Sequence, residues 1–442
     1  MNRVRVSSFP GAVLALGLAG FAACPPAAAQ VADTSYVRFE LGAASDVTNE
    51  QYYEATFDDT TLTGRRLASS PEFRAAAVGA VEGAGRLPRG PRLWFREEGT
   101  FGDKLMRSYT RLDFSGTPRS GVRLSLSPQL DLRHDRSFGD DRREAEFRPE
   151  GRARLATAGR SNLLDLLVGG DWFRSEGTTE LVTLDRNAGR AWLRWTRAPL
   201  TSRWDTELGY GADVRAFPDS SNRDHVEQHG AVTLRGVLPG AGSVAIDVQL
   251  DRREPIHPTP STRDRFWSGH GDGAMFVPLH ERLTAELWLT LDGYRYDEPD
   301  TSVYFDYTLV SAQPSLHWTL ARDWAVRLGP RFEALLAPGV PAERYRQFAL
   351  VLEGERLHLG DWLSLAPSAG WREYERSAAT LSLSEPDLHS SYLFVEGEAF
   401  GDFGLPGRVR LRFSGSARYE SHEDPSQDAN SLYFSIDCRR GF

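Results

Sequence analysis

The sequence predicts an all-β protein: a single closed antiparallel up-and-down transmembrane β-barrel of about 18–20 strands. Three observations lead there. Apolar and polar residues alternate at period two along most of the chain, which is the strand period. Many of the alternating runs reach the roughly 9–11 residues a tilted strand needs to cross a bilayer, against the 5–6 usual in soluble sheets. Short links and longer polar links take turns between runs, as tight turns on one rim of a barrel and longer loops on the other would.

The N-terminus carries its own signal. Arg3 and Arg5 precede an apolar run from Ala12 to Ala23, and Ala27-Ala28-Ala29 before Gln30 offers a small-residue cleavage site. This is the make-up of a secretory signal peptide over residues 1–29, leaving 30–442 as the barrel. Phe21-Ala22-Ala23-Cys24 has the outline of a lipoprotein box, but Phe stands where Leu is usual and Pro25-Pro26 follows, so cleavage before Gln30 is preferred. The apolar run is too short to span a bilayer, and no later stretch approaches about 18 apolar residues. An exported chain of this kind enters a membrane only as a barrel.

Composition agrees. Hydrophobic residues make up 40% of the 442 and aromatics 11%, with 41 glycines, and the mean hydropathy is −0.43. A membrane barrel reads this way because only every second strand residue meets lipid. Removing Arg3 and Arg5 with the signal takes the formal charge from −9 to about −11, which argues against nucleic acid as a partner. Cys24 leaves with the signal, so Cys438 has no partner for an intramolecular disulfide. Its apolar parity makes it a small lipid-facing side chain.

Taken in order, the first strand alternates Val37, Phe39, Leu41 and Ala43 with Arg38 and Glu40. Asp46 to Pro71 reads as a long polar connection, followed by weaker strands around Phe73 to Glu82 and Arg92 to Glu98. From Lys104 the alternation is regular. Leu124, Leu130 and Leu132 oppose Arg123, Asp131 and Arg133; Leu208, Tyr210 and Val214 oppose Glu207, Asp213 and Arg215; Ile246, Val248 and Leu250 oppose Asp247, Gln249 and Asp251. Ala198–Ser202, Pro239–Gly242, Ala321–Asp323 and Gly360–Asp361 are short links; His134–Arg143, Phe217–His225, Asp297–Ser302 and Ser377–Ser390 are long ones. Both termini then fall on the short-turn rim. Trp172, Trp195, Trp204, Trp318 and Trp324 sit near strand ends, where interfacial aromatic girdles belong.

The last hairpin is the clearest copy of the pattern. Val409, Leu411, Phe413 and Tyr419 alternate with Arg410, Arg412, Ser414 and Arg418. After an acidic loop, Leu432, Phe434, Ile436 and Cys438 alternate with Tyr433, Ser435 and Asp437, and the chain ends on Phe442 in the apolar parity. This ending resembles the terminal strand of Gram-negative outer-membrane β-barrels, although Arg440 stands where an aromatic is common. The resemblance implies export to the outer membrane, contact with its lipid and lipopolysaccharide, and recognition by the barrel assembly machinery, with Phe434, Ile436 and Phe442 as the assembly signal.

The polar parity should line the lumen, and a barrel of this strand number is too wide to be filled by its own side chains. The expectation is a pore for small hydrophilic or anionic solutes, saccharides included. Arg190 and Arg194, then Arg408, Arg410, Arg412 and Arg418, would make positive walls; Glu353 with Glu355 and Glu396 with Glu398, negative ones. An arginine ladder would draw carboxylates and phosphates. Opposed walls would instead set up a transverse field. The competing expectations are a structural or interaction barrel with a blocked lumen, and a barrel-only exporter of exopolysaccharide. TonB-dependent transport is disfavoured because no plug domain of suitable length precedes the barrel.

No catalytic residue, cofactor or metal site is expected. His134-Asp135 and Asp224-His225 are sequence neighbours, and adjacent strand residues point to opposite faces. Neither Gly-x-Ser-x-Gly nor His-Glu-x-x-His occurs. The acidic loops, Asp58-Asp59, Asp140-Asp141, Asp297-Glu298-Asp300 and Glu423-Asp424, read as solvated rather than as calcium sites.

Overall fold

The computed structural model describes residues 36–58, 61–86, 91–136, 141–157, 161–177, 185–198, 202–258, 264–299, 304–358, 360–377 and 389–441, with backbone alone over 50–58, 61–70 and at 426. The expected signal peptide, residues 1–29, and Phe442 of the expected assembly signal lie outside them.

The chain is a closed antiparallel barrel of 20 strands. In order they are β1 Tyr36–Asp58, β2 Thr61–Arg86, β3 Arg92–Gly102, β4 Leu105–Arg119, β5 Val122–Leu126 with Gln129–Asp135, β6 Arg142–Arg148 with Glu150–Ala156, β7 Asn162–Gly177, β8 Arg186–Arg197, β9 Trp204–Ala216 and β10 His225–Val237. There follow β11 Ser243–Pro255, β12 Phe266–His280, β13 Leu283–Tyr296, β14 Tyr307–Ala321, β15 Trp324–Leu336, β16 Tyr345–His358, β17 Asp361–Tyr374, β18 Tyr392–Leu405, β19 Val409–His422 and β20 Ala429–Gly441.

β5 and β6 are each broken once, by Pro128 and Pro149. Proline has no N–H to give the ladder, yet the register runs on unchanged across both breaks. Ser127 and Glu150 exchange backbone hydrogen bonds of 2.7 and 3.3 Å between them.

Each strand pairs with its sequence neighbour, and β1 pairs with β20 from Glu40↔Gly441 to Gln51↔Asn430, which closes the cylinder. Pairing the first strand with the last removes both sheet edges. The upper end of the expected strand range is met because β1, β2 and β3 are all present.

The expected connection from Asp46 to Pro71 is instead strand. β1 runs 23 residues and β2 26, paired with each other from Tyr36↔Ala84 to Asp58↔Thr61. β20 covers β1 only to Gln51, and β3 covers β2 only from Ala76. Beyond those points the hairpin pairs with itself alone. From Asn49 to Ser70 both parities of the sequence are mostly polar, so the segment lacks the apolar alternation by which strands are recognised.

The lipid face is explicit in the exposures. Leu393 (64%), Leu41 (61%) and Phe101 (60%) are open to the surroundings. Large apolar surface of this extent is unfavourable in water and favourable in hydrocarbon. Trp204, Trp318 and Trp324 sit outward at the short-turn rim; Trp172, Trp267 and Trp371 sit outward near the long-loop rim. These are the two girdles. Cys438 is outward and exposed, as are Phe434 and its strand neighbour Leu432.

Candidate functional site: the lumen wall

Strand alternation places the other parity on the inner face, and there charged side chains pair across neighbouring strands. On β6 to β8 the wall leans basic. Asp165 of β7, only 4% exposed, accepts from Arg152 (3.1 and 3.1 Å) and Arg154 (2.8 and 3.2 Å) of β6, so two cations share one anion. Arg186 bridges Asp171 and Glu146 at 2.9 and 2.8 Å. Arg190 meets Glu150 at 3.0 Å, and Arg194 meets Glu207 of β9 at 3.1 Å.

From β9 to β13 the wall turns acidic and carries histidine. His229 of β10 lies opposite Asp251 of β11, with Nδ1 2.7 Å from the carboxylate. His270 of β12 sits between Asp292 (2.5 Å) and Asp272 (2.7 Å). Thr290 donates to the same Asp272 at 2.9 Å. Sequence reasoning weighed histidines beside acids in sequence and missed these, which face acids across the ladder. The legible signal was that His229 and His270 both fall in the polar parity.

The arginines of β19 are inward but do not form an open ladder. Asp402 of β18 takes Arg410 at 2.6 and 3.0 Å and Arg412 at 3.1 Å. Arg418 is held by Glu396 (3.0 Å) and Glu420 (2.7 Å). Arg408 is not on the strand; it occupies the β18–β19 turn with φ 60°, after Gly407 at φ 79°. β20 separates β19 from β1, and it is Arg439 of β20 that reaches across the seam to Glu98 of β3, 3.3 Å away.

The acidic pairs divide in the same manner. Glu396 also takes Arg331 (2.6 Å) and Ser368 (2.8 Å), and Glu353 is bound by Arg327. Glu355, in register with Ala325 of β15, and Glu398, in register with Ala366 of β17 and Ser416 of β19, face the lumen beside them. The positive and negative walls expected from sequence therefore interleave: a charge is drawn to an opposite charge on its own strand, on the next strand or up to three strands away. The larger asymmetry lies between the basic arc on β6–β8 and the acidic arc on β9–β13.

One patch of the inner wall is packed. Phe394 is 2% exposed, clustered with Ala349, Val351 and Tyr392. Arg418 lies 4.9 Å from its ring centroid, and Arg372 stands 3.9 Å over Tyr345. Guanidinium on aromatic faces keeps these cations in place beside a wide lumen.

The sequence-adjacent acid–histidine pairs are split, as alternation requires. His134 Nε2 meets Asp141 at 2.6 Å while Asp135 accepts from Arg133. His225 meets the Arg223 carbonyl at 2.8 Å while Asp224 accepts from the Phe217 N–H at 2.7 Å.

No protein family matches the chain, and no curated protein matches it in sequence. Solved structures do. The siderophore receptor PirA from Pseudomonas aeruginosa superposes with a TM-score of 0.55 at 9% identity, covering 92% of this chain and 81% of that one. The fold is that of an outer-membrane β-barrel. The FrpB iron transporter from Neisseria meningitidis gives 0.54 at 7% identity over 91% of this chain and 81% of its own. The alcaligin outer-membrane receptor FauA from Bordetella pertussis gives 0.53 at 10%, covering 91% and 76%. At these identities the likeness is one of fold.

Proposed function

We propose that this protein is an outer-membrane pore for small hydrophilic solutes, anions and saccharides among them. The observation that carries the reading is the inner face of the 20-strand cylinder. Barrels of 16–18 strands already leave an aqueous channel, and this one is wider. Apart from the packed patch around Phe394, the inner face carries cross-strand ion pairs along most of its strands. The neighbouring structures include a siderophore receptor and an iron transporter by name, which fits a transport barrel.

The basic arc around Arg152, Arg154 and Arg190 on β6–β8 adjoins the acidic arc around Asp251 and Asp272 on β11 and β12, so the two charges occupy different sectors of the wall. A solute in transit meets a field across the lumen, and a dipolar or anionic solute is oriented by it. A second reading, a closed lumen, draws on the packed patch around Phe394.

Swelling of proteoliposomes in isosmotic solutions decides between them. Entry of small sugars and small organic anions, with slower entry as solute size grows, supports the pore. A swelling rate equal to that of protein-free vesicles for every solute supports the closed barrel.

A further inference from the structure

The acidic arc holds one constellation whose donors converge. Glu227 and His229 lie two residues apart on β10, so both face inward, and Asp251 stands directly opposite His229 on β11. One oxygen of each carboxylate and one nitrogen of the imidazole lie within 4.8 Å of one another. On the other flank of β10, Asp213 of β9 stands opposite Glu227, and its carboxylate lies 3.7 Å from His229 Nε2. All four side chains are largely shielded by the wall.

We propose that Glu227, His229 and Asp251 form a binding site for a divalent transition-metal ion on the lumen wall. Nδ1 of His229 faces Asp251 across 2.7 Å; a metal ion taking the place of the shared proton needs the two donors to part by less than an ångström or so, since metal–nitrogen and metal–oxygen bonds are about 2.0–2.2 Å. The far nitrogen lies 3.7 Å from the Asp213 carboxylate, an anion close enough to favour a cation on the ring side of the site. An imidazole with two carboxylates suits zinc, copper, cobalt or manganese, whereas calcium and magnesium prefer oxygen alone.

The surroundings set its strength. Arg215 lies 3.8 Å from Glu227 and 3.6 Å from Asp213, Arg253 stands opposite Glu227 in the ladder, and Gln249 donates to both oxygens of Asp251 at 3.0 Å. These cations and this amide compete with a metal for the carboxylates, and three protein ligands leave positions open toward the lumen. The site is therefore exchangeable, holding an ion in equilibrium with the water beside it. It requires the inner face, not a conducting lumen.

Titration of the detergent-refolded full chain with Zn²⁺ by calorimetry, and Cu²⁺ electron paramagnetic resonance on the same material, test it. The expected result is one saturable site per chain, weakened at least tenfold in His229→Ala and in Asp251→Asn and unchanged in His270→Ala, with Cu²⁺ signals split by a single imidazole nitrogen. Far-ultraviolet circular dichroism checks that each variant is folded; where His229→Ala is not, the wild-type Cu²⁺ spectrum decides alone. Absence of saturable binding, equal affinity in folded His229→Ala, or Cu²⁺ spectra without nitrogen coupling would overturn the proposal.

Discussion

Ala43 of β1 stands directly opposite Cys438 of β20 in the rung that closes the barrel. Facing residues of an antiparallel pair have Cα atoms about 4.5–5.5 Å apart, inside the range a disulfide spans. Ala43→Cys should therefore form a disulfide with Cys438 under mild oxidation, Cys438 being the one native cysteine in the sequence from residue 30 onward. The product migrates faster on a denaturing gel without reductant, and a shift of one residue, at Ala44→Cys, points inward and should cross-link poorly. Equal yields from both positions would contradict the register.

Asp165 neutralises only one of the two arginines it holds. Asp165→Asn should move the zero-current potential in a salt gradient toward anion preference; Arg152→Gln with Arg154→Gln should move it toward cations. Removing Asp165 leaves two guanidinium groups side by side, at a cost of roughly 1–3 kcal/mol in stability, read as a lower denaturant midpoint. The same logic makes the replacement of Arg410 and Arg412 less effective than their number suggests, because Asp402 already offsets part of their charge.

Trp192 of β8 lies over a glycine shelf on β9. A Cβ added at Gly211 would come within 2.1 Å of the indole and 2.8 Å of the Ala191 carbonyl; one at Gly209 within 2.6 Å of the same ring. Gly211→Ala should drive the indole off the wall into the lumen. We expect a smaller unit conductance and destabilisation of about 1–3 kcal/mol. Conductance and stability both at wild-type values would show that the ring has room elsewhere.

On the long-loop rim, Asp297 meets Arg252 through two 2.7 Å contacts. That hydrogen-bonded pair holds the Asp297 carboxyl below the usual aspartate range, against a small opposing effect of burial. A depressed carboxyl stabilises the fold above its unfolded value, about 3.9, and the contribution fades as pH falls through the lower folded value. Hydrogen exchange around 297–299 should stay slow at pH 5 and quicken only below about pH 4. Asp297→Asn should be fast at every pH; a wild-type loop that loosens already at pH 6 would contradict the pairing.

The strands of the central and C-terminal barrel were legible because one face meets lipid and the other water, and that contrast writes itself as alternation. Cys438 and the rim tryptophans could be placed from parity alone. The β1–β2 ribbon was not legible, since neither parity from Asn49 to Ser70 is consistently apolar. Lumen chemistry was half legible. Parity put Arg410, Arg412, Arg418, Glu396 and Glu398 inward, but which charges remain open depends on cross-strand register. Asp402 against Arg412, or His229 against Asp251, joins residues from different strands that no local spacing brings together.

A conducting barrel of this kind holds an open, water-filled lumen. Single-channel recording of the refolded protein in a planar bilayer tests it most directly. Steady open steps are expected at low voltage, with the reversal potential moving in opposite directions for Asp165→Asn and for the Arg152→Gln, Arg154→Gln pair. A correctly folded barrel that inserts and stays electrically silent across the voltage range would contradict it.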